Sequence, residues 1–146
     1  MKRLFAVVAV SVCLLSSPVC AQEGADTDAS FPEMEEKFLD EGLTEIEIRN
    51  IEVSAKNMLY VGASAKDIEG AIIDLKKMGL DGRVLSDSVF SMSYLVSMGE
   101  SVNDAKKVVE DAAREAMSKR IMGKNLAIEI EKRVKQKSQE LWKKKK

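Results

Sequence analysis

Histidine is absent from the 146-residue chain, and both cysteines, Cys13 and Cys20, lie within the first 20 residues. Zinc fingers, haem sites ligated by histidine, and cysteine or Ser-His-Asp nucleophiles need those residues. The chain also has no Ser-x-x-Lys motif and no glycine-rich phosphate-binding loop. Aspartate and glutamate could still form a catalytic pair, but most such pairs on a helical protein are solvated surface. The sequence therefore predicts a protein that is not an enzyme and has no cofactor.

Metal binding is not expected either. Asp26 and Asp28 have the spacing of the first ligands of a calcium loop, but Phe31 stands where that loop needs glycine. Lys37 stands where it needs its last glutamate. We interpret residues 22–30 as an acidic linker.

The N-terminus has the three parts of a secretory signal peptide. A basic start at residues 1–3 precedes an apolar run at residues 4–15, and small residues end at Ala21. The apolar run is too short to span a bilayer. We therefore predict a signal peptide over residues 1–21 and an exported protein, periplasmic or secreted, that begins at Gln22.

Two alternatives for this segment remain open. A lipid anchor on Cys20 fits poorly with Pro18 and Val19 before it, and a buried N-terminal helix would carry polar residues on one face. After cleavage the chain would contain no cysteine, so it could form no disulfide in a compartment that permits them. No transmembrane helix is expected in the mature protein.

Glycines divide the rest of the chain at regular steps. Gly42, Gly62, Gly79 and Gly99 are separated by 20, 17 and 20 residues, so an offset of 37 aligns the first with the third and the second with the fourth. The same offset aligns five further identical pairs: Leu43 with Leu80, Ser54 with Ser91, Ser64 with Ser101, Asp67 with Asp104, and Asp74 with Asp111. Repeats of this length are typical of stacked supersecondary units.

Apolar residues recur every three or four positions and predict amphipathic helices. The expected spans are residues 32–40, 45–60, 65–78, 83–97, a helix from about 102, and 125–146. Short turns between them favour antiparallel neighbours. The predicted fold class is all-α: a small helical bundle or a short stack of antiparallel helix pairs built on a 37-residue internal repeat. The repeat domain would cover residues 31–123, followed by a basic amphipathic C-terminal helix at residues 124–146.

The predicted helix ends have recognisable signals. Each of the four glycines follows an apolar periodic run, where the backbone must turn into the left-handed region. Thr44 and Glu47 have the spacing of a capping box, and Ser64 and Ser101 are N-cap candidates. These recurring polar residues are therefore interpreted as caps and not as binding residues.

Charge is distributed unevenly along the chain. Residues 22–111 contain 20 acidic and 9 basic side chains, whereas residues 112–146 contain 4 acidic and 12 basic ones. The candidate contact residues in the basic tail are Lys132, Arg133, Lys135, Lys137, Trp142, Lys143, Lys144, Lys145 and Lys146.

Three interpretations of this tail are open: a solvated end helix docked by a narrow apolar stripe, a binder of anionic lipid or another polyanion, and a segment that clasps an acidic groove in its own chain or a partner's. Nucleic acid is not an expected partner, because the export signal directs the chain away from it.

The mature chain has seven methionines, at positions 34, 58, 78, 92, 98, 117 and 122. Most fall on apolar faces or at helix ends, so we expect them to pack in the core. An adaptable binding surface and a copper(I) site are the alternatives.

Taken together, the sequence predicts an exported, non-catalytic helix-repeat protein that acts through protein–protein contact, with an unknown partner or with itself. The alternative is a peripheral binder of an anionic membrane surface or polyanion through the C-terminal helix. A carboxylate-based enzyme or ligand carrier would need a concave pocket between helices.

Overall fold

The computed structural model describes residues 31–144, and 82% of them are helical, with no β-strand in that range. The six helices are α1 (Phe31–Asp40), α2 (Glu45–Tyr60), α3 (Ala65–Lys77), α4 (Gly82–Ser97), α5 (Val102–Ser118) and α6 (Gly123–Lys144). The predicted all-α class is confirmed. Every helix boundary that was predicted within the described residues lies within two residues of the observed one. The predicted signal peptide, the acidic linker, Lys145 and Lys146 lie outside the described residues.

The helices pack as two layers. Helices α2, α4 and α6 lie side by side, with α4 in the middle, and α3 packs beside α5 beneath them. The backbone of helix α1 packs on α2, with Lys76 of α3 lying over the Phe38 ring at 5.5 Å, and α6 contacts only α4 and α5 among the described helices. The chain thus passes from one layer to the other at every turn, and its first and last helices lie at opposite ends of the stack.

Five of the helices end in the same hydrogen-bonded motif. At the end of α2, the Gly62 N–H donates to the Leu59 carbonyl at 2.9 Å and the Ala63 N–H donates to the Met58 carbonyl at 3.0 Å. This is the Schellman pattern, which requires a positive φ at its central residue. The φ angles of Gly42, Gly62, Gly79 and Gly99 lie between 89° and 100°, so the predicted left-handed conformation is confirmed at all four.

The fifth helix end departs from glycine. The Arg120 N–H donates to the Met117 carbonyl at 2.9 Å and the Ile121 N–H donates to the Ala116 carbonyl at 3.0 Å, which is the same pattern. Arg120 has a φ of 61° and is the non-glycine residue with positive φ among those described. A side chain with a Cβ is strained in this region, so the turn between α5 and α6 stores strain that the glycine turns avoid.

Side-chain caps explain the starts of α2, α4 and α5. The Glu47 N–H donates to Thr44 Oγ1 at 3.3 Å and the Thr44 N–H donates to Glu47 Oε2 at 2.9 Å, so the predicted capping box is confirmed. Ser101 accepts from the Asp104 N–H at 3.1 Å. Ser64 was expected to do the same, but its side chain makes no capping bond. Its hydroxyl is exposed, so water can replace the partner that the prediction assumed.

The core runs continuously from Phe38 in α1 to Val134 in α6. Met58 and Met92 are fully buried in it, which agrees with the packing role expected of the methionines, whereas Met122 is exposed. Small polar residues also lie in the core of the upper layer: Ser54 donates to the Asn50 carbonyl and Ser88 to the Val84 carbonyl. Because each hydroxyl is satisfied by its own helix, serine fills a narrow interface without leaving an unpaired polar atom.

Candidate interaction surface

Large apolar side chains are exposed mainly on one layer. Of the ten exposed large hydrophobic residues among the described side chains, seven lie within α2, α4 and α6: Ile46, Val53, Tyr60, Phe90, Tyr94, Ile128 and Trp142. Helices α3 and α5 expose none in the described structure. We call the set of seven the apolar face.

The spacing of these residues places them on one side of each helix. Ile46, Val53 and Tyr60 are separated by seven residues, or two turns, so they form a line along α2. On α4, Phe90 and Tyr94 are one turn apart and lie away from the buried stripe that contains Val89 and Met92. On each of α2 and α4 the exposed apolar residues therefore share one side of the helix.

A groove between α4 and α6 lies on this layer. It has a volume of about 570 Å³, and Phe90 and Tyr94 of α4 line it together with Ile128 of α6. These side chains are 62%, 44% and 37% exposed. Apolar clefts of this size are typical of sites that accept an apolar group from a ligand or a partner.

The charged residues around the groove are mostly paired. Arg83 lies 3.4 Å from Asp87 on α4, and Lys135 lies 2.6 Å from Glu131 on α6. Lys124 also lines the groove and makes no ion pair with any described residue. The rim thus carries one cation without a counterion at hydrogen-bonding distance.

The predicted contact residues of the tail do not form one patch. Lys135 faces the α4–α6 groove, whereas Lys132 and Arg133 line a second depression, between α5 and α6. Trp142, Lys143 and Lys144 are exposed at the end of α6.

Three of the predicted lysines already have acidic partners in the chain. Lys132 lies 2.6 Å from Glu129, and Lys135 is paired with Glu131 as described above. Lys137 lies 3.5 Å from Glu100 in the turn before α5. Within the described residues, that last pair is the one ion pair that joins α6 to the rest of the molecule.

The apolar stripe of α6 is used for internal packing. Leu126, Ile130, Val134 and Ser138 are all buried, and α6 lies against α4 and α5. This arrangement agrees with an end helix docked by its stripe. A helix that lies on a membrane buries the equivalent stripe in lipid, so in this fold that stripe is already occupied.

The α5–α6 depression is small and lined by charges of both signs. It has a volume of about 200 Å³, and Glu115 and Lys119 on its wall are joined at 2.6 Å. The hydrogen bond from Lys119 lowers the pKa of Glu115, with a smaller contribution from the charge of Arg133. The other carboxylate on its wall, that of Glu129, lies 2.6 Å from Lys132, so both acids of this depression have a cationic partner.

The residues at the centre of the groove were not among those predicted from the sequence. Phe90 and Tyr94 fall outside the stripe of Leu85, Val89, Met92 and Val96 that identified α4 as amphipathic. Aromatic residues on the polar side of an amphipathic helix were the available signal, since such residues are common at protein interfaces.

No three histidine, cysteine, aspartate or glutamate side chains within residues 31–144 are placed to hold a metal ion. None of the six helices is both long enough and apolar enough to cross a membrane. Comparison with protein-family models, curated proteins and solved structures gives no significant match.

Proposed function

We propose that this chain is an exported, non-catalytic helix-repeat protein that binds a partner protein through its apolar face. The observation that carries the proposal is the placement of seven exposed large hydrophobic residues on one layer of the stack while α3 and α5 expose none among the described side chains. Exposed apolar patches on a folded protein are typical of interaction sites, because a partner that covers them removes apolar surface from water.

The α4–α6 groove favours an amphipathic helical segment as the occupant. Such segments place apolar side chains every three or four residues into a groove between helices. Phe90, Tyr94 and Ile128 offer apolar contacts along the groove, and Lys124 offers an uncompensated positive charge at its rim. We therefore expect the bound segment to carry an acidic residue beside its apolar anchors.

The repeat is also part of the proposal. Helices α2–α3 and α4–α5 are proposed to be two copies of one 37-residue unit, with α1 as the remnant of a preceding unit. Positions related by this offset have similar burial: Ile48 and Leu85 are both buried, as are Ile72 and Val109. In repeat proteins the exposed face of successive units forms one extended binding surface, and the equivalent positions Val53 and Phe90, both exposed, support the same arrangement for this chain.

A defined experiment tests binding without knowing the natural partner. Peptides displayed as helices would be selected against the chain from Gln22, and the selected peptides titrated against variants. We expect amphipathic, acidic peptides whose affinity falls at least about tenfold in the Phe90→Ala/Tyr94→Ala double variant, because hot-spot aromatics dominate such interfaces.

The matched control removes two exposed apolar side chains that lie off the apolar face. Leu39→Ala/Met122→Ala should leave peptide affinity unchanged, and thermal melts should show that both double variants are folded. Peptides that bind both variants as tightly as the wild type, or lose affinity equally to both, would contradict the proposal.

The alternative function, binding of an anionic surface, is favoured by one observation. Trp142 is 61% exposed and is followed by Lys143 and Lys144 at the end of α6. An interfacial tryptophan beside lysines is typical of contact with anionic lipid headgroups. Since the stripe of α6 is buried, this contact would involve the helix end and not the whole helix, and a blue shift of Trp142 fluorescence on addition of anionic vesicles would reveal it.

A further inference from the structure

The two ends of the stack carry opposite charge. Residues 31–60, which form α1 and α2, contain eight acidic and three basic side chains. Residues 119–144, which contain α6 and the turn before it, have nine basic and three acidic ones. Helix α6 contacts neither α1 nor α2, so the two groups of charge lie apart in the monomer.

Many of these charges have no ion-pair partner within 4 Å among the described residues. At the first end they are Glu35, Glu36, Asp40, Glu45 and Glu52, which we call the acidic pole. At the other end they are Arg120, Lys124, Arg133, Lys143 and Lys144, which we call the basic pole. They are distributed from the turn before α6 to the last turn of that helix, and Arg120 is the one of them that lines the depression described next. The chain therefore does not neutralise its own poles.

Each pole also has an exposed apolar residue. Leu39, 45% exposed, lies beside Asp40 at the acidic pole. At the basic pole, an open depression of about 650 Å³ is lined by Arg120, Ile121, Met122, Asn125, Ile128, Glu129 and Lys132. Its one carboxylate, that of Glu129, is paired with Lys132, so Arg120 is left to meet a carboxylate of another molecule while Met122 and Ile128 offer apolar contact.

We propose that the basic pole binds the acidic pole of a second copy of this chain, so that copies associate head to tail, with Leu39 of one copy in the depression beside Met122 of the next. The basic pole requires carboxylates and an apolar side chain, and the acidic pole at the opposite end of the same molecule carries both. Such an interface is heterologous, and it produces either a closed ring or an open series of copies. This interface shares Lys124 and Ile128 with the α4–α6 groove but not Phe90 or Tyr94, and it does not depend on the proposed partner.

Sedimentation velocity on the chain from Gln22 tests the proposal. We expect association that increases with concentration at about 0.01 M salt, where charges act over about 30 Å, and that weakens at least about tenfold near 1 M salt, where they act over about 3 Å. A chain that remains monomeric at about 100 μM in low salt would overturn the proposal.

Charge reversal identifies the surfaces. An acidic-pole variant (Glu36→Lys/Asp40→Lys/Glu52→Lys) and a basic-pole variant (Arg120→Glu/Lys124→Glu/Lys132→Glu), which reverses the two cations that line the depression and their neighbour Lys124, should each be monomeric alone, because both ends then have the same sign. An equimolar mixture of the two should associate again, since each end meets a complementary one.

A control variant reverses the same number of charges in the middle of the stack. Lys66→Glu/Lys77→Glu/Lys107→Glu alters exposed residues of α3 and α5 and should associate like the wild type. Association that survives both pole variants would instead indicate packing through the apolar face and would overturn the head-to-tail arrangement. Binding to anionic vesicles by a chain that does not self-associate would also overturn it, by assigning the basic pole to lipid.

The two proposals fail separately. Phe90→Ala/Tyr94→Ala should leave head-to-tail association unchanged, and the acidic-pole variant should leave binding of the selected peptides unchanged.

Discussion

Single residues decide where the helices of this chain end. Gly62 and Gly79 have φ angles of 91° and 89°, and a Cβ built on either would touch nothing within 4 Å. Glycine is therefore needed at these positions because of the positive φ, and not because a side chain would clash with neighbouring atoms. Gly70 lies inside α3, where a Cβ would also touch nothing, but no positive φ is required of it.

These three glycines provide a matched series. Gly62→Ala and Gly79→Ala should each lower the free energy of unfolding by about 1 kcal/mol, because a Cβ is strained at positive φ. Gly70→Ala should raise it by about 0.5–1 kcal/mol, because alanine loses less backbone entropy in a helix. Urea melts of the three variants measure the difference, and equal effects at positions 62 and 70 would show that the helices do not end as described.

Arg120 occupies the position in its turn that glycine occupies in the other four turns of this type. Its replacement is therefore expected to have the opposite effect on stability. Replacing it with glycine removes the strain at a φ of 61° and should stabilise the fold by about 1 kcal/mol. If Arg120 belongs to the basic pole, Arg120→Gly should also weaken association at low salt. Loss of stability in the denaturant melt of this variant would contradict the strain argument.

At the scale of elements, α6 is held to the body by its apolar stripe. Ile130 is 1% exposed and contacts the core, whereas Ile128, two residues away, is 37% exposed. The same helix thus offers a buried and an exposed isoleucine for comparison. Its ion pair from Lys137 to Glu100 is a minor contribution beside this burial, since an ion pair near the surface contributes at most about 1 kcal/mol.

The pair of isoleucines tests how α6 is attached. Ile130→Ala should cost about 2–5 kcal/mol of stability, because it removes buried methyl groups and leaves a cavity. Ile128→Ala should cost less than about 1 kcal/mol but should weaken binding in the α4–α6 groove. The loss from Ile130→Ala should persist at high salt, and a loss that salt abolishes would indicate that charge and not apolar packing holds α6.

Helices α3 and α5 are joined by an ion pair with a defined pH dependence. Lys106 Nζ lies 2.6 Å from Asp74 Oδ2; the hydrogen bond lowers the pKa of Asp74 and raises the pKa of Lys106. The Asp74 contribution to stability is therefore present above the ordinary aspartate pKa and is lost as pH falls through the lowered value. The Lys106 contribution is present below the ordinary lysine pKa and is lost as pH rises through the raised value.

A double-mutant cycle measures this pair. Asp74→Asn, Lys106→Gln and the double variant should give a coupling of about 0.2–1 kcal/mol at neutral pH, since both side chains are partly exposed. The coupling should disappear in acid, below the lowered pKa of Asp74. A coupling that is unchanged at about pH 2 would show that the contact is not an ion pair.

At the scale of the whole molecule, the sequence predicted the helices and turns better than the surfaces. Periodic apolar residues and the glycines at 42, 62, 79 and 99 act locally, so they identified the helices and the first four turns without knowledge of their neighbours. Arg120 was missed as a turn residue because its side chain gives no signal for positive φ. Asp81 was also missed, and it caps α4 by accepting from the Gly82 N–H at 2.8 Å.

The candidate site could not be found from one helix at a time. Its groove lies between α4 and α6, two helices that α5 separates in the chain. They lie side by side only because of tertiary packing, which the pattern of a single helix does not reveal. The tail predicted as one basic surface also divides, since Lys135 faces α4 and Arg133 faces α5. A run of charges in sequence covers all sides of a helix, so only docking shows which side is free.

The central claim is that partners meet the layer of α2, α4 and α6, and photo-cross-linking in cells tests it most directly. A photoreactive residue would be placed in turn at Val53, Phe90 and Ile128 on the apolar face, and at Asn103, Lys107 and Asp111 on the exposed side of α5. We expect cross-links to a defined protein from the first three positions and none from the last three. Equal cross-linking from both layers, or cross-linking from α5 alone, would contradict the account.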